Sequence, residues 1–595
     1  MDDAEKESVW PGRLIEALRL RLRQAQQRYQ PTERQWLFAL TVVIGGACGL
    51  AAVGFHLLID VVSRVSIEPA LAAAGRSFVT WTMAVPALGG LVSGIFLQYL
   101  VPNARGSGIP QVKVAYAGRA RLRSRDSVGK FLVGALQIGT GSSLGREGPT
   151  VQICAGLASR MGRLARVSPQ NLRRLIPVGA AAGIAAAFNA PIAAVTFTIE
   201  EVVGTLDQTV LSGVIVAAAF AAIVERSVLG AHPVFQMPPM AGLDHASSLL
   251  LYAALGLVAA GLAIAFTDSL LKLRLRFQSM RRIPPWAQPA IGGLATGGLA
   301  AAALWWLGAG GVTGGGYATV DAALAGKLAA GTLISLCLMK LAATVLSYSS
   351  GGAGGIFAPA LFIGAMAGGA MGTLDMALFH HPAGSLGAFA VVGMGAVFAG
   401  IIRAPITSVL IIIEMTGGYS LILPLMIANM LAYGIARHYR PVPIYEALLE
   451  QDGIHLHARE SPDGITLAQA AIPAREGRMF APATGVGDLT GAVAQAGRQE
   501  VFPVVEGDRV VGIIALEDLV ELASEPHLDG IANAADVMRA PLVLRPDTDL
   551  RTAFELMRSN GLRQLPMTDA EGRVIGLLDE SSIAHAHMSA RTRTA

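Results

Sequence analysis

The chain has 595 residues, of which 53% are hydrophobic and only 15% are charged, and its formal net charge is +4. An ordinary soluble domain carries about 25% charged residues, so this composition excludes that class and gives no case for a nucleic-acid partner. Several apolar runs reach the roughly 20 residues that a membrane-spanning helix needs. The composition therefore predicts a polytopic, integral membrane protein. As a separate expectation, we do not predict an enzyme.

The N-terminal segment, residues 1–35, is polar and carries seven Lys or Arg residues. It lacks the pattern of a signal peptide, and its basic excess predicts a cytoplasmic N-terminus in a plasma or inner membrane. Leucines recur at helical spacing among arginines in "RLIEALRLRLRQAQQRY". We expect an amphipathic helix that lies on the membrane surface.

The apolar runs lie at 36–62, near 79–101, 175–199, 210–224, 249–271, 287–307, 328–346 and 386–435. Near Arg437 the composition shifts from Gly/Ala-rich and apolar to acidic and basic, with short strand-like runs. We therefore predict a transmembrane domain at 36–446, a linker at 447–464 and a second domain on the cytoplasmic side at 465–590. The three cysteines fall in apolar runs, and no metal-binding spacing is present.

The membrane region repeats itself. "FNAPIAAVTFTIEE" (188–201) matches "IIRAPITSVLIIIEM" (401–415), and in each copy Ala-Pro is followed nine residues later by a glutamate, Glu200 or Glu414. Upstream of these stretches, "GREGP" and "GIFAP" correspond in shape. Transporters are often built from such paired halves, with the substrate held where their broken helices meet.

Three segments combine glycine with a terminal proline: "GSGIP" (106–110), "GREGP" (145–149) and "GIFAP" (355–359). Gly and Pro break helices, and the free N–H groups at a helix start attract anions. Broken helices at membrane depth must line a cavity or be buried in protein. With the Ser107 hydroxyl, these segments predict a dehydrated anion that is held by N–H and O–H donors and touches no full cation.

Two adjacent charges, Arg146 and Glu147, lie inside the second segment. An ionised carboxylate at a helix N-terminus can occupy the place of the anion. When it is protonated it loses its negative charge, so the N–H groups no longer hold it there. Glu147 is thus predicted to be a proton-linked gate rather than a member of a structural ion pair. Arg146 is expected to contribute mainly its backbone N–H.

Glu200 and Glu201 end the helix that follows Ala190-Pro191. Acidic groups inside membrane segments are functional candidates because burying them is unfavourable. Since Glu200 has a counterpart in Glu414, we expect these two to be structural. Glu201 has no acidic counterpart in the second copy, which makes it the candidate proton relay.

These residues together resemble the CLC family of chloride channels and chloride/proton exchangers. The resemblance covers about 36–450 and includes "GSGIP", "GREGP", "GGIFAP", "AAAFNAP", "IRAPIT" and Tyr445 in "PIYEALL". It implies a polytopic all-α membrane domain of two inverted repeats with broken helices. It also implies a homodimer in the lipid bilayer, with one ion path in each subunit.

The resemblance implies specific roles for the site residues. The Ser107 and Tyr445 hydroxyls would contact the central anion, and chloride is implied because nitrate-preferring relatives carry proline in place of Ser107. Glu147 would be the external gate and Glu201 the internal proton glutamate. Backbone N–H groups would complete the sites: those of Ile356 and Phe357 at the central one, those of Arg146, Glu147 and Gly148 at the outer one, with Gly106 beside Ser107.

The tail also contains a repeat. "FPVVEGDRVVGIIALEDLVELA" (502–523) parallels "LPMTDAEGRVIGLLDESSIAHA" (565–586), and each copy reads as strand, turn, strand and helix. The pair resembles an α/β tandem CBS domain, with copies at about 465–527 and 530–590. Such modules bind adenine nucleotides in some proteins, and the resemblance places Asp518 at the ribose. Ala515 and Asp579 depart from the usual pattern, so a structural role competes with nucleotide sensing.

The predicted function is exchange of chloride for protons, with no cofactor required. A passive chloride channel on the same scaffold is the alternative, and Glu201 favours exchange because family channels usually lack an acid there. An intramembrane protease would need HExxH or a Ser/His pair, and a magnesium transporter would need acidic clusters along its pore. The sequence supplies neither set.

Overall fold

The computed structural model describes residues 33–582 except 74, 205–207, 231–232, 236–246, 281, 382–384, 455–471, 474–476, 494–498, 524–529, 547 and 549. The chain forms two compact units, residues 1–456 and 457–595. The predicted surface helix before residue 33 and most of the predicted linker lie outside the described residues.

The described part of the first unit is helical. Its helices are α1 Glu33–Val65, α2 Ile67–Ala72, α3 Gly75–Tyr99, α4 Ile109–Tyr116, α5 Ser124–Gly139, α6 Glu147–Leu164, α7 Pro169–Phe188, α8 Pro191–Phe197, α9 Gln208–Leu229, α10 Ser248–Ser279, α11 Gln288–Leu307, α12 Tyr317–Leu324, α13 Ala330–Ser349, α14 Phe357–Phe379, α15 Ser385–Ile402, α16 Pro405–Thr416, α17 Ile422–Tyr439 and α18 Ile444–Gln451. Nine helical segments among the described residues are long and apolar enough to cross a membrane. The protein is therefore an integral membrane protein, as its composition predicts.

Two of the apolar runs are not single helices. The run at 175–199 breaks at Asn189 (φ 52°), and the run at 386–435 breaks at Arg403 (φ 71°). In both places Ala-Pro follows and starts the next helix, α8 or α16. Proline lacks the N–H that would continue the preceding helix and disfavours helical geometry in the residue before it. Hydropathy alone does not detect such breaks.

The helices α8 and α16 cap each other. Glu414, near the end of α16, accepts hydrogen bonds from the N–H groups of Ile192 (3.1 Å) and Ala193 (2.7 Å) at the start of α8. Glu200, in the π-helical turn that continues α8, accepts from Ile406 N (3.4 Å) and Thr407 N (3.0 Å). Each carboxylate thus meets the positive end of the other helix. The reciprocal contact joins the two inverted halves and confirms the structural assignment of both glutamates.

Close glycine contacts pack α14 against α15. A Cβ on Gly364 would lie 2.2 Å from the carbonyl oxygen of Gly393, and one on Gly368 would lie 2.0 Å from that of Phe389. Small residues let helix backbones approach this closely in a membrane. The packing fixes α14, whose first residues belong to the candidate site.

The described part of the second unit contains two antiparallel sheets. Strands β2 (Val501–Glu506) and β3 (Arg509–Ala515) form one, and β1 (Ile472–Pro473), β5 (Val574–Asp579) and β4 (Gln564–Thr568) form the other in the order β1-β5-β4. The helices of this unit are α19 Val486–Val493, α20 Leu516–Ala523, α21 Ala534–Val537 and α22 Leu550–Ser559. One apolar core contains side chains from both copies. The predicted α/β pair is present.

We predict that Glu200→Ala and Glu414→Ala each lower the free energy of unfolding by about 1–2 kcal/mol, because each removes the acceptor for two helix N-terminal N–H groups. Thermal unfolding of the purified protein in detergent measures the change. Glu450→Ala, which alters an exposed glutamate at the end of α18, is the control. Unchanged midpoints in both cap variants would contradict the capping role.

Candidate functional site

The starts of α6 and α14 are joined backbone to backbone. Gly145 N donates to Gly355 O (2.8 Å), and Gly355 N donates to Gly145 O (2.7 Å). These reciprocal bonds set the N-termini of two buried helices side by side. The N–H groups of a helix's first turn have no intrahelical acceptor, so both helices present free donors at the same place.

The segment that precedes α4 packs onto this junction. A Cβ on Gly148 would lie 2.6 Å from Ser107 O and 3.3 Å from the Cα of Gly355, and one on Gly108 would lie 3.0 Å from Gly148 O. Gly108 also adopts φ 97°, a conformation that favours glycine. The three Gly–Pro segments, separate in sequence, therefore meet at one place.

Two hydroxyl groups near this junction lack a hydrogen-bond partner among the described residues. Ser107 Oγ and the Tyr445 hydroxyl are fully buried and make no hydrogen bond with any described residue. The Tyr445 ring, at the start of α18, lies 6.4 Å from the ring of Phe357 between centroids. Buried hydroxyls are nearly always hydrogen-bonded. Two unpaired ones beside free N–H groups fit an anion as their missing acceptor.

Glu147, the first residue of α6, is fully buried. Its Oε1 accepts a hydrogen bond from the hydroxyl of Tyr317, while Oε2 has no partner among the described residues. The guanidinium of Arg146 lies 5.4 Å from the centre of the Tyr317 ring. Within the described part of the chain, Glu147 forms no salt bridge.

Glu201 is buried in the π-helical turn Thr198–Val203 and has a cationic partner. Lys113 Nζ on α4 lies 2.8 Å from Glu201 Oε1 and 3.3 Å from Glu446 Oε1 on α18. One ammonium thus connects two carboxylates from distant parts of the chain. Glu201 is therefore ion-paired, while its repeat counterpart, Met415, is a buried apolar residue.

A second buried lysine supports the Ser107 segment. Lys130 Nζ, fully buried on α5, donates to Ala104 O (2.9 Å) and to the carbonyl of Gly106. Gly106 itself has φ 73°, and its N–H donates to Gly352 O (2.9 Å). Backbone carbonyls thus stabilise the ammonium of Lys130, and among the described residues no cation contacts the Ser107 hydroxyl.

A cavity of about 490 Å³ opens beside the Ser107 segment. Gly106, Gln111 and Tyr348 line it, together with the basic residues Arg105 and Arg274. Gln111 Nε2 donates to the carbonyl of Arg105 (3.2 Å), so this side chain fixes the loop before α4. Asp126 and Asp452 also line the cavity, and Arg274 is paired with Asp452 (2.6 Å), so the lining carries charges of both signs.

Asp518 lies in the second unit, in the first turn of α20. Its Oδ2 accepts from Ala515 N (3.1 Å), and its Oδ1 accepts from the guanidinium of Arg539. Both carboxylate oxygens therefore already have protein partners.

The sequence did not identify four side chains around the site: Tyr317, Lys113, Lys130 and Lys340. Isolated lysines inside otherwise apolar helices, as in "SVGKFLVGAL" and "LCLMKLAATV", are a signal that could have found two of them, because a lone membrane cation needs partners. Tyr317 carries no comparable signal, since its contact with Glu147 spans 170 residues.

The fold and the site together define a membrane protein built from two inverted halves around a buried polar centre. A model of the voltage-gated chloride channel family matches residues 89–437, and a CBS-domain model matches residues 534–589. The chain belongs to the voltage-gated chloride channel (CLC) family, as its motifs indicate, and it carries a C-terminal CBS region.

The relatives include two Salmonella proteins named H(+)/Cl(-) exchange transporter ClcA. The one from Salmonella paratyphi A is 33% identical over 448 residues, covering 73% of this chain and 92% of the relative. The one from Salmonella typhi is 32% identical over 446 residues, with the same two shares.

Solved structures agree with this fold. A slow cyanobacterial Cl-/H+ antiporter matches with a TM-score of 0.63 and 29% identity, covering 70% of this chain and 97% of that one. A eukaryotic CLC transporter matches with a TM-score of 0.62 and 21% identity, covering 92% of this chain and 97% of that one. The second likeness concerns the fold alone.

We predict that Lys113→Met lowers the free energy of unfolding by about 3 kcal/mol or more, because removal of one partner from a buried ion pair leaves uncompensated charge. Adding Glu201→Gln should recover part of this loss. Unfolding midpoints in detergent measure both effects, with Lys327→Met at an exposed position as the control. A destabilisation that the second substitution leaves unchanged would contradict the pairing.

Proposed function

We propose that this protein exchanges chloride for protons across the membrane. The observation that carries the proposal is the meeting of the starts of α6 and α14 beside the unpaired, buried hydroxyls of Ser107 and Tyr445. These donors suit a dehydrated halide. A fixed ammonium on the ion would hold it too tightly for release, and the buried lysines Lys130 and Lys340 donate to carbonyl groups.

In this mechanism the central anion contacts the Ser107 and Tyr445 hydroxyls and the N–H groups of Ile356 and Phe357. A second, outer position is formed by the N–H groups at the start of α6, and the Glu147 carboxylate competes with the anion for it. The competition is supported by the position of Glu147 as the first residue of that helix. Because carboxylate and chloride carry the same charge, protonation of Glu147 lets the anion enter. Three residues would supply the N–H groups of the outer position: Arg146, Glu147 and Gly148.

Glu201 serves as the second proton site. It is buried, and Lys113 pairs with both Glu201 and Glu446. A proton can therefore bind to or leave one of these carboxylates while Lys113 keeps the other as its partner, so no isolated buried charge is created. The names of the ClcA relatives support coupling to protons rather than passive conduction. Assembly as a homodimer and a cytoplasmic position of both termini are further parts of the proposal, and they rest on the family resemblance.

The deciding experiment uses purified protein in liposomes under a chloride gradient, with and without a pH gradient. Exchange requires that the pH gradient shift the reversal potential. A reversal potential that follows chloride alone would identify a passive channel and reject the exchanger.

We predict that Glu147→Gln abolishes proton flux while chloride flux persists, because an amide cannot carry the proton. Glu201→Gln should likewise abolish proton flux and leave chloride flux in place. Simultaneous recordings of chloride efflux and proton uptake measure both, with Glu450→Gln as the exposed control. Loss of all chloride transport in both folded variants would count against the assigned roles.

For the tail we propose a structural role rather than nucleotide sensing, because Asp518 is already engaged by Ala515 N and Arg539. We expect that millimolar AMP or ATP leaves the thermal unfolding of the full-length protein unchanged. A ligand that binds the folded state tightly stabilises it by mass action, so a concentration-dependent rise in the midpoint would contradict this proposal.

A further inference from the structure

Tyr317 is the described side chain that holds the Glu147 carboxylate. Its hydroxyl donates to Oε1 of Glu147, and Oε2 accepts no hydrogen bond from any described residue. The carboxylate of the proposed gate is therefore fixed through one oxygen by one donor from another helix, α12. Hydrogen bonds to an ionised acceptor are about twice as strong as neutral ones.

The ring of Tyr317 is held by two neighbours. Phe235 stacks on it with centroids 5.7 Å apart, and the Arg146 guanidinium lies 5.4 Å from its centroid. Phe235 is in turn fixed by a hydrogen bond from its N–H to Met415 O (3.0 Å). These contacts restrict the ring, so its hydroxyl stays directed at Glu147.

A buried lysine fixes the loop that presents Tyr317. Lys340 Nζ on α13 donates to the carbonyls of Gly311 (2.9 Å), Val312 (3.1 Å) and Gly314 (2.6 Å). The N–H of Gly314 donates to Ser142 O (3.1 Å), in the segment that leads into α6. Lys340 therefore fixes the loop through hydrogen bonds to its carbonyls. Its charge also interacts with the Glu147 carboxylate through space.

The loop has no room for side chains where it turns into α12. Gly316 adopts φ 77°, and a Cβ there would lie 2.6 Å from the ring of Phe362 and 2.7 Å from Gly311 O. The ammonium of Lys340 lies 5.0 Å from the centroid of the same Phe362 ring. Loop, lysine and ring thus form one rigid support.

We propose that Tyr317 is a latch that holds the ionised Glu147 in its closed position, and that Lys340 is a positioning residue for this latch. The inference rests on the proposed gating role of Glu147. The phenol keeps its proton throughout. When Glu147 takes up a proton, its charge-assisted bond to the phenol becomes a weaker neutral one, so the carboxyl group leaves and an anion takes its place.

The test is Tyr317→Phe, which removes the hydroxyl and keeps the ring. Loss of one hydrogen bond to a charged group changes an equilibrium roughly tenfold. Chloride flux in liposomes should therefore rise roughly tenfold at about pH 7 and by less at about pH 4.5, because protonation of Glu147 releases the gate in both proteins. Proton coupling should persist because Glu147 remains.

Two controls separate a latch from a general structural effect. Tyr252→Phe alters a buried tyrosine that stacks on Phe389, with centroids 4.1 Å apart, and should change flux at neither pH. In a Glu147→Ala background the gate is absent, so Tyr317→Phe should add nothing. An equal rise at both pH values, or a rise in the Glu147→Ala background, would overturn the proposal.

Lys340→Met tests the same latch without altering the phenol. It should raise flux at about pH 7 in the same direction, and the double variant with Tyr317→Phe should add nothing further, because both substitutions act on one contact. Fully additive effects would show that the lysine does not act through Tyr317, and unchanged flux in both single variants would reject the latch.

The outcome for the latch is distinct from that for the proposed function. A wild-type protein without proton coupling would reject the exchanger. A wild-type protein that couples protons to chloride, with Tyr317→Phe flux equal to wild type at both pH values, would reject the latch alone.

Discussion

The paired backbone hydrogen bonds between Gly145 and Gly355 are the constraint on which the site depends. They hold the starts of α6 and α14 together, so donors from both halves converge where neither helix alone could surround an ion. Glycine suits this approach because the backbones are close: a Cβ on Gly355 would lie 3.0 Å from Gly148 N and 3.2 Å from Gly145 O, and one on Gly145 would lie 3.2 Å from Ala358 N. The "G-x-x-x-P" pattern is therefore a packing requirement as well as a helix start.

Among the described residues, the buried charges around this junction are balanced by partners other than the proposed anion. Glu200 and Glu414 accept N–H groups from opposite helix starts. Lys130 and Lys340 donate to backbone carbonyls, and Lys113 pairs with carboxylates. Each charge thus stabilises a loop or a helix end. The donors at the proposed anion position, the Ser107 and Tyr445 hydroxyls and the helix N–H groups, are neutral, which suits binding that must remain reversible.

Local patterns predicted much of the fold and part of the site. The Ala-Pro repeats placed the starts of α8 and α16 correctly, because proline determines where a helix can begin. The same repeat separated Glu200 from Glu201, and the structure places the first in a cap and the second in a buried ion pair. Hydropathy alone does not locate the break inside the run at 175–199, since a composition window does not see one left-handed residue such as Asn189.

The sequence by itself determined the membrane class, the helix breaks, the family and the candidate residues Ser107, Glu147 and Tyr445, because these depend on residue type and short spacing. Only the tertiary structure decided which side chains contact the buried carboxylates and lysines. Tyr317 reaches Glu147 across 170 positions, and Lys113 reaches Glu446 across 333. The physical reason is that a hydrogen bond is formed over about 3 Å in space, and only the packing of helices from both halves brings such distant residues that close.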